Sequence, residues 1–235
     1  MDLEKIFGGR RIVGYAGNRN CGKTNNLVYL IKNFRETNKH THIYIYGMDR
    51  VTMEFLQSLG NVHEINALEQ LVGKKESLFI IDEFQKMNLG DRRYKKLLGS
   101  FINMIYHPEN NNRVIFCSPD LREFNNVMGS KIEVWVVKSI RFKELINGSQ
   151  LKEAVDDYKG RYKQLNDIVT PKNEMIVLNG SEEIVITADY IKEVDTKSGI
   201  SDMFDVDEKK EKDVKVEIFK DEVVNGNSDS DSYFS

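Results

Sequence analysis

Between an apolar segment, Arg11 to Ala16 (RIVGYA), and a stretch from Asn25 to Asn38 with Leu27, Leu30, Ile31 and Phe34 at helical spacing lies Gly17-Asn18-Arg19-Asn20-Cys21-Gly22-Lys23-Thr24. This is the pattern G-x-x-x-x-G-K-[ST] in the strand, loop, helix context that gives it meaning. Two glycines let the backbone wrap a phosphate closely, and successive amides at a helix N-terminus favour its negative charge. Lys23 is placed to reach the β- and γ-phosphates, and the Thr24 hydroxyl to hold Mg²⁺. A chain built around such a loop is expected to be α/β, with the loop at the carboxyl edge of a parallel sheet.

The rest of the pattern agrees. His42 to Tyr46 (HIYIY) reads as a strand, Thr52 to Leu59 and Asn66 to Leu71 as helical stretches, and Leu78 to Ile81 (LFII) as a central strand buried on both faces. Asp91 to Tyr106 carries Tyr94, Leu97, Leu98, Phe101, Ile102 and Ile105 at the spacing of an amphipathic helix, which Pro108 and the Asn110 to Asn112 turn stop. Arg113 to Cys117 and Ile132 to Val137 give two more strands around a short helix, Asp120 to Met128. Alternating strands and helices predict a mostly parallel central sheet of five or more strands flanked by helices, as in RecA-like nucleotide triphosphatases. The core is expected over residues 1–140. A small C-terminal appendage packed on the core is expected over 141–204, with a helix from Gln150 to Tyr158 and strands at Met175 to Leu178 and Ile184 to Thr187.

The chemistry concentrates at strand ends. Asp82, closing LFII, is read as the second magnesium-holding residue with Thr24, and Glu83 as the base that orients and deprotonates the attacking water. Ser118, ending the next strand, has two readings: sensor of the γ-phosphate, or cap of the helix beginning near Asp120. Arg92, Arg93 and Arg122 are candidates for an arginine completing a neighbouring subunit's site, with Arg122 taken forward into the catalytic set alongside Lys23, Glu83 and Ser118. Gly17 to Thr24 together with Asn25 form the expected nucleotide-binding set, within which Arg19 faces either the nucleotide or solvent. His40, His42, His63 and His107 show no metal-ligand spacing, and Trp135 is read as core.

Composition narrows the class. No apolar run approaches the ~18–20 residues of a membrane-spanning helix, and the start lacks the pattern of an export signal. Two cysteines, one of them inside the loop, leave no room for a disulfide framework or a four-ligand zinc site and fit a reducing cytoplasm. The net charge of −3 hides an asymmetry: from Asp205 to Ser235 ten acids face five lysines, so residues 1–204 are mildly basic. That last segment, 205–235, is read as a disordered acidic tail.

Gly17 to Thr24, Ile80-Ile81-Asp82-Glu83, the helix ending at Tyr106 and Arg113 to Ser118 together resemble the additional-strand, catalytic-glutamate division of P-loop ATPases. Within it the layout resembles the FtsK-HerA superfamily, particularly the small viral DNA-packaging ATPases and the Zot-like phage proteins. That superfamily usually ends its fourth strand in glutamine, where this chain has Ser118. The resemblance implies an ATPase cleaving the β–γ phosphoanhydride with Mg²⁺, in a homo-oligomeric ring, a hexamer, that draws double-stranded viral DNA through its channel. Arginines would act in trans, and Lys74, Lys75, Arg93, Lys95 and Lys96 would contact the DNA backbone. It also implies a place in the host cytoplasm or at the capsid portal, with the acidic tail either solubilising or docking a capsid or virion membrane protein. Two other functions share these motifs: a thymidine-kinase-like small-molecule kinase, because Asp82-Glu83-Phe84-Gln85 resembles that family's acidic motif, and a nucleotide-gated adaptor or helicase loader.

Overall fold

Four strands whose side chains are buried at every position carry the centre of the molecule: β1 (Ile12–Gly17), β4 (Ser77–Ile81), β6 (Val134–Lys138) and, but for half-buried Arg113, β5 (Arg113–Ser118). Continuous burial of that kind requires cover on both faces. The computed structural model describes residues 2–82, 92–119, 129–141, 150–161, 167–168, 170–179 and 182–194. The helices among them are α1 (Asp2–Phe7), α2 (Lys23–Thr37), α3 (Arg50–Ser58), α4 (Arg92–Tyr106) and α5 (Gln150–Arg161). The remaining strands are β2 (His42–Tyr46), β3 (Val62–Glu64), the short pair β7 (Ile140–Arg141) and β8 (Asp167–Ile168), β9 (Glu174–Asn179) and β10 (Glu182–Thr187).

Eight strands form one sheet in the order β10-β9-β6-β1-β5-β4-β2-β3. From β6 to β3 all pairings are parallel, and β9 and β10 continue it antiparallel. The expected mostly parallel α/β sheet of five or more strands is therefore present, with eight. The strands anticipated in a C-terminal appendage extend the central sheet beyond β6: Val136 of β6 pairs with Val177 of β9, and Ile184 of β10 in turn with Val177. Residues to Thr196 form one compact unit; the acidic segment 205–235 lies outside the described residues.

Alternation along the strands sorts the core into two layers. Val13 and Tyr15 of β1 join Leu27, Ile31, Met53 and Leu56 beneath α2 and α3, with Leu3 and Ile6 of α1. Ile12 and Ala16 join Leu98, Phe101, Ile102 and Ile105 of α4, with Leu151 and Val155 of α5 on the opposite face. Phe101 meets Phe79 and Phe116 edge-on, with ring centroids 5.3 and 6.3 Å away, which fixes α4 over β4 and β5. Trp135 is core as expected, and its ring stands 2.6 Å from where a Cβ on Gly14 would lie, so β1 takes glycine there. The helix expected from Thr52 begins at Arg50, because Asp49 caps it by accepting from the Thr52 amide at 3.0 Å and hydroxyl at 2.6 Å. The stretch Asn66 to Leu71 is a single 3₁₀ turn over Leu68–Leu71. The expected helix Asp120 to Met128 lies outside the described residues. No helix among the described residues is long and apolar enough to cross a membrane.

Candidate nucleotide-binding site

The phosphate-loop sequence sits at the carboxyl end of β1, and α2 starts at Lys23. Gly22 takes the cap position in the left-handed region at φ 86°, with no side chain capping the helix and no acid in its first turn. The first amides of a 15-residue helix and its dipole are therefore left for an external anion. Both glycines are required sterically. A Cβ on Gly17 would lie 2.3 Å from the carbonyl oxygen of Lys138, and one on Gly22 would lie 2.8 Å from that of Lys172. Lys23 is nearly buried, and its Nζ donates to the carbonyls of Gly17 and Asn18, both at 2.7 Å, which folds the ammonium back across its own loop. Arg19 and Asn20 are exposed, while Cys21, Thr24 and Asn25 are half-buried.

Asp82 follows β4 and is buried, with its amide donating to the Tyr46 carbonyl at 2.8 Å. Its surroundings connect it electrostatically to the loop. The Cys117 thiol is pushed well up by burial and then by the Asp82 carboxylate, while Lys23 pulls it down. The Tyr15 hydroxyl is likewise raised, by burial first and then by Cys21, Cys117 and Asp82, against a lowering contact from Asn26. Lys23 and Asp82 thus act on one shared interior on the α2 side of the sheet, as a lysine and a metal-holding acid of one nucleotide site must. β5 separates β1 from β4, and its last residue, Ser118, is fully buried opposite Ala16 of β1. The strand alternation assigns Ser118 to the layer of Val114 and Phe116, beneath α4.

Glu83 and Arg122 lie outside the described residues, as do the side chains of Arg92 and Arg93. Of the expected DNA contacts, Lys74 and Lys75 precede β4 at the amino end of the sheet, where Lys74 Nζ lies 5.2 Å above the centre of the Tyr44 ring. Lys95 and Lys96 are exposed in the first half of α4. The two lysine pairs therefore flank opposite ends of β4 rather than forming one stripe. His42 and His63 sit on neighbouring strands, ring nitrogens 2.9 Å apart.

Sequence reasoning missed Lys138, Asn26 and Gly47. Lys138 ends β6 opposite Gly17 and is fully buried. Its signal was available: a charge closing an apolar run, Val134-Trp-Val-Val-Lys138, as Asp82 closes its own.

The donor set fits a magnesium-bound nucleoside triphosphate. A glycine cradle, a helix start without side-chain caps and Lys23 suit the phosphates, and the Thr24 hydroxyl with the Asp82 carboxylate suits a hard cation. No protein-family model and no curated protein matches the chain. Among solved structures it is similar to the DNA-packaging ATPase from Sulfolobus Turreted Icosahedral Virus, at 12% identity and a TM-score of 0.54 over 77% of this chain and 98% of that one. It is also similar to Thermomonospora curvata EccC, in a structure of ATPases 2 and 3 with a signal sequence peptide, at 12% identity and a TM-score of 0.55 over 79% of this chain. The cytoplasmic domain of that type VII secretion ATPase matches at 12% identity and a TM-score of 0.56, again over 79%. The chain spans 38% and 24% of the length of those two EccC structures. These solved structures are of ATPases, and the fold of this chain is like theirs.

Proposed function

We propose that the protein is an ATP-hydrolysing motor that translocates double-stranded DNA, in the manner of a viral genome-packaging ATPase. The observation that carries this reading is the strand order β1-β5-β4: a strand inserted between the phosphate-loop strand and the Asp82 strand brings Ser118 to the same edge as Gly17 and Asp82. A site that only grips a phosphate needs the loop. One that couples hydrolysis to movement also needs a residue that registers the γ-phosphate, and the carboxyl end of β5 at Ser118 is where such a residue would stand, although the Ser118 side chain itself is buried on the α4 face.

Lys23 binds the β- and γ-phosphates, and the loop amides from Asn18 to Asn25 hold the remaining phosphate oxygens. Thr24 and Asp82 would hold Mg²⁺, which neutralises charge developing on the phosphate oxygens. Glu83 accepts the proton of the attacking water. Arg122 reaches the site of the next subunit in a homo-oligomeric ring, a hexamer, and the exposed Lys95 and Lys96 face the DNA backbone. In a virus the motor would work in the host cytoplasm at the capsid portal, and the acidic tail is the segment offered to a capsid or virion membrane protein.

The test is steady-state ATP turnover with and without linear duplex DNA across a range of protein concentrations. Turnover should rise with both, and particles imaged with ATP and DNA should be rings threaded by duplex. Turnover indifferent to DNA and to concentration removes the motor, and phosphoryl transfer to a nucleoside would replace it with a kinase.

A further inference from the structure

Lys138 ends β6 beside the phosphate loop, fully buried, and among the described residues no carboxylate is one of its hydrogen-bond acceptors. Its Nζ donates to the main-chain carbonyls of Pro171 at 3.0 Å and Glu174 at 2.7 Å, and to that of Lys172. Turning the Asn26 amide end for end pairs both of its ends: the oxygen then lies 2.9 Å from Lys138 Nζ, sharing that ammonium with the carbonyls, and the nitrogen donates to the Gly22 carbonyl at 3.2 Å and the Lys172 carbonyl at 3.1 Å. One ammonium thus joins the strap 170–174 to the first turn of α2 and, through Asn26, to the loop's second glycine. Two further contacts close the same junction. Ser139 Oγ meets Thr170 Oγ1 at 3.4 Å. The Asn25 amide clasps Ile191 at both ends, donating to its carbonyl at 2.9 Å and accepting from its amide at 3.2 Å.

Burying an ammonium among neutral carbonyls costs stability that a neutral side chain in its place would not. What lies beside it is the loop's own geometry: Gly17 and Gly22 are the residues whose Cβ positions are taken by the carbonyls of Lys138 and Lys172. We propose that Lys138 is a positioning residue, an ammonium latch holding the strap 170–174 against Gly22 and Asn26, so that affinity for a triphosphate depends on the C-terminal strands β9 and β10. The inference rests on the nucleotide-binding reading of the loop and adds a route by which anything that displaces the strap changes that affinity. The reverse must also hold, since coupling between two sites is reciprocal.

The charge gives the latch a signature that mere packing lacks. Burial, opposed by Cys21 and Glu174 and aided by Lys23, brings the Lys138 ammonium down to about 8. Among the described residues, Cys21, Glu174 and Lys23 are the titratable groups that act on it. A bound triphosphate favours the charged form, so affinity should fall as pH rises through this range.

The experiment titrates the full-length protein with a non-hydrolysable magnesium ATP analogue from pH 7.5 to 9, for wild type and Lys138→Met. Wild-type affinity should decline across the range, whereas Lys138→Met should start about tenfold weaker and stay flat. Hydrogen exchange on the wild type is the second arm, and it decides the matter if Lys138→Met does not fold. Nucleotide should slow exchange at the Glu174 amide, bonded to Pro171 O at 3.0 Å, and at the Ile191 amide. Equal affinity and equal pH profiles in the two proteins, or unchanged exchange at both amides, overturns the latch alone. Failure of wild type to bind the analogue at all overturns both the latch and the nucleotide reading.

Discussion

The carbonyl oxygen of Asp82 stands 2.2 Å from the point where a Cβ on Gly47 would be, and Gly47 itself has φ 88°. Together with the bond from the Asp82 amide to Tyr46 O at 2.8 Å, this means the turn after β2 sets the height at which the Asp82 carboxylate leaves β4. Gly47→Ala must both adopt a strained backbone and push Asp82 away. We expect a loss of about 1–3 kcal/mol in stability by urea unfolding. A larger relative loss should appear in magnesium-dependent ATP turnover at a temperature where the variant is folded. Turnover unchanged in a folded Gly47→Ala would show that the Asp82 position tolerates this shift.

The two cysteines should separate by reactivity. Cys21 is half-buried in the loop with its Sγ 3.8 Å from Lys23 Nζ, whereas Cys117 is fully buried and its thiol is raised by burial and by Asp82. Thiolate is the reactive form, so iodoacetamide at pH 7.5 should label Cys21 and leave Cys117 unlabelled until the protein unfolds. Magnesium ATP should protect Cys21. Mass spectrometry of the labelled peptides reads all three outcomes, and early labelling of Cys117 would contradict the burial of β5.

How far the residues themselves announce this structure depends on whether the signal is local. The loop was legible because its glycines, Lys23 and Thr24 act within eight consecutive positions. Strands β1, β4 and β5 were legible because burial on both faces leaves unbroken apolar runs. The role of β9 was not: Met175 to Leu178 reads as a strand, but that it pairs with β6 is decided by contacts some 40 residues away along the chain. α1 was missed because six residues are too few to show a helical period, and Leu3, Ile6 and Phe7 declare themselves only by their burial. Lys138 had a local signal in the charge that closes its apolar run, but its role was not legible, since its carbonyl partners at 171, 172 and 174 are residues of no distinctive type.

Binding and hydrolysis should come apart in two substitutions. Lys23→Ala removes the ammonium that spans Gly17 and Asn18, and is expected to weaken nucleotide binding. Glu83→Gln keeps the size and shape of the side chain but removes its charge and its basicity, and should bind ATP as wild type does while turnover falls by ~10²–10⁴. Equilibrium binding of a fluorescent ATP analogue and phosphate release measure the two separately. Normal hydrolysis by Glu83→Gln would transfer the base to another residue and leave the loop assignment standing.

Stability at alkaline pH offers a check on Lys138 that needs no nucleotide. Its folded-state value of about 8 lies below the ordinary 10.5 of a lysine in an unfolded chain. Below pH 8 both states hold the proton and the fold bears the full penalty of the buried charge; between pH 8 and 10.5 the folded state releases the proton first, so this group makes the protein more stable as pH rises. Tyr15 and Cys117 act in the opposite sense, because their raised values leave the unfolded state to ionise first, so stability falls as pH climbs through their unfolded values. The raw profile therefore mixes signs, and the informative quantity is the difference between wild type and Lys138→Met, in which the tyrosine and thiol contributions cancel. That difference should move in favour of wild type by on the order of 1–3 kcal/mol between pH 8 and 10.5. Urea midpoints at four or five pH values would measure it, and a difference that stays constant across the range would mean that Lys138 does not release its proton in the fold before the unfolded chain does.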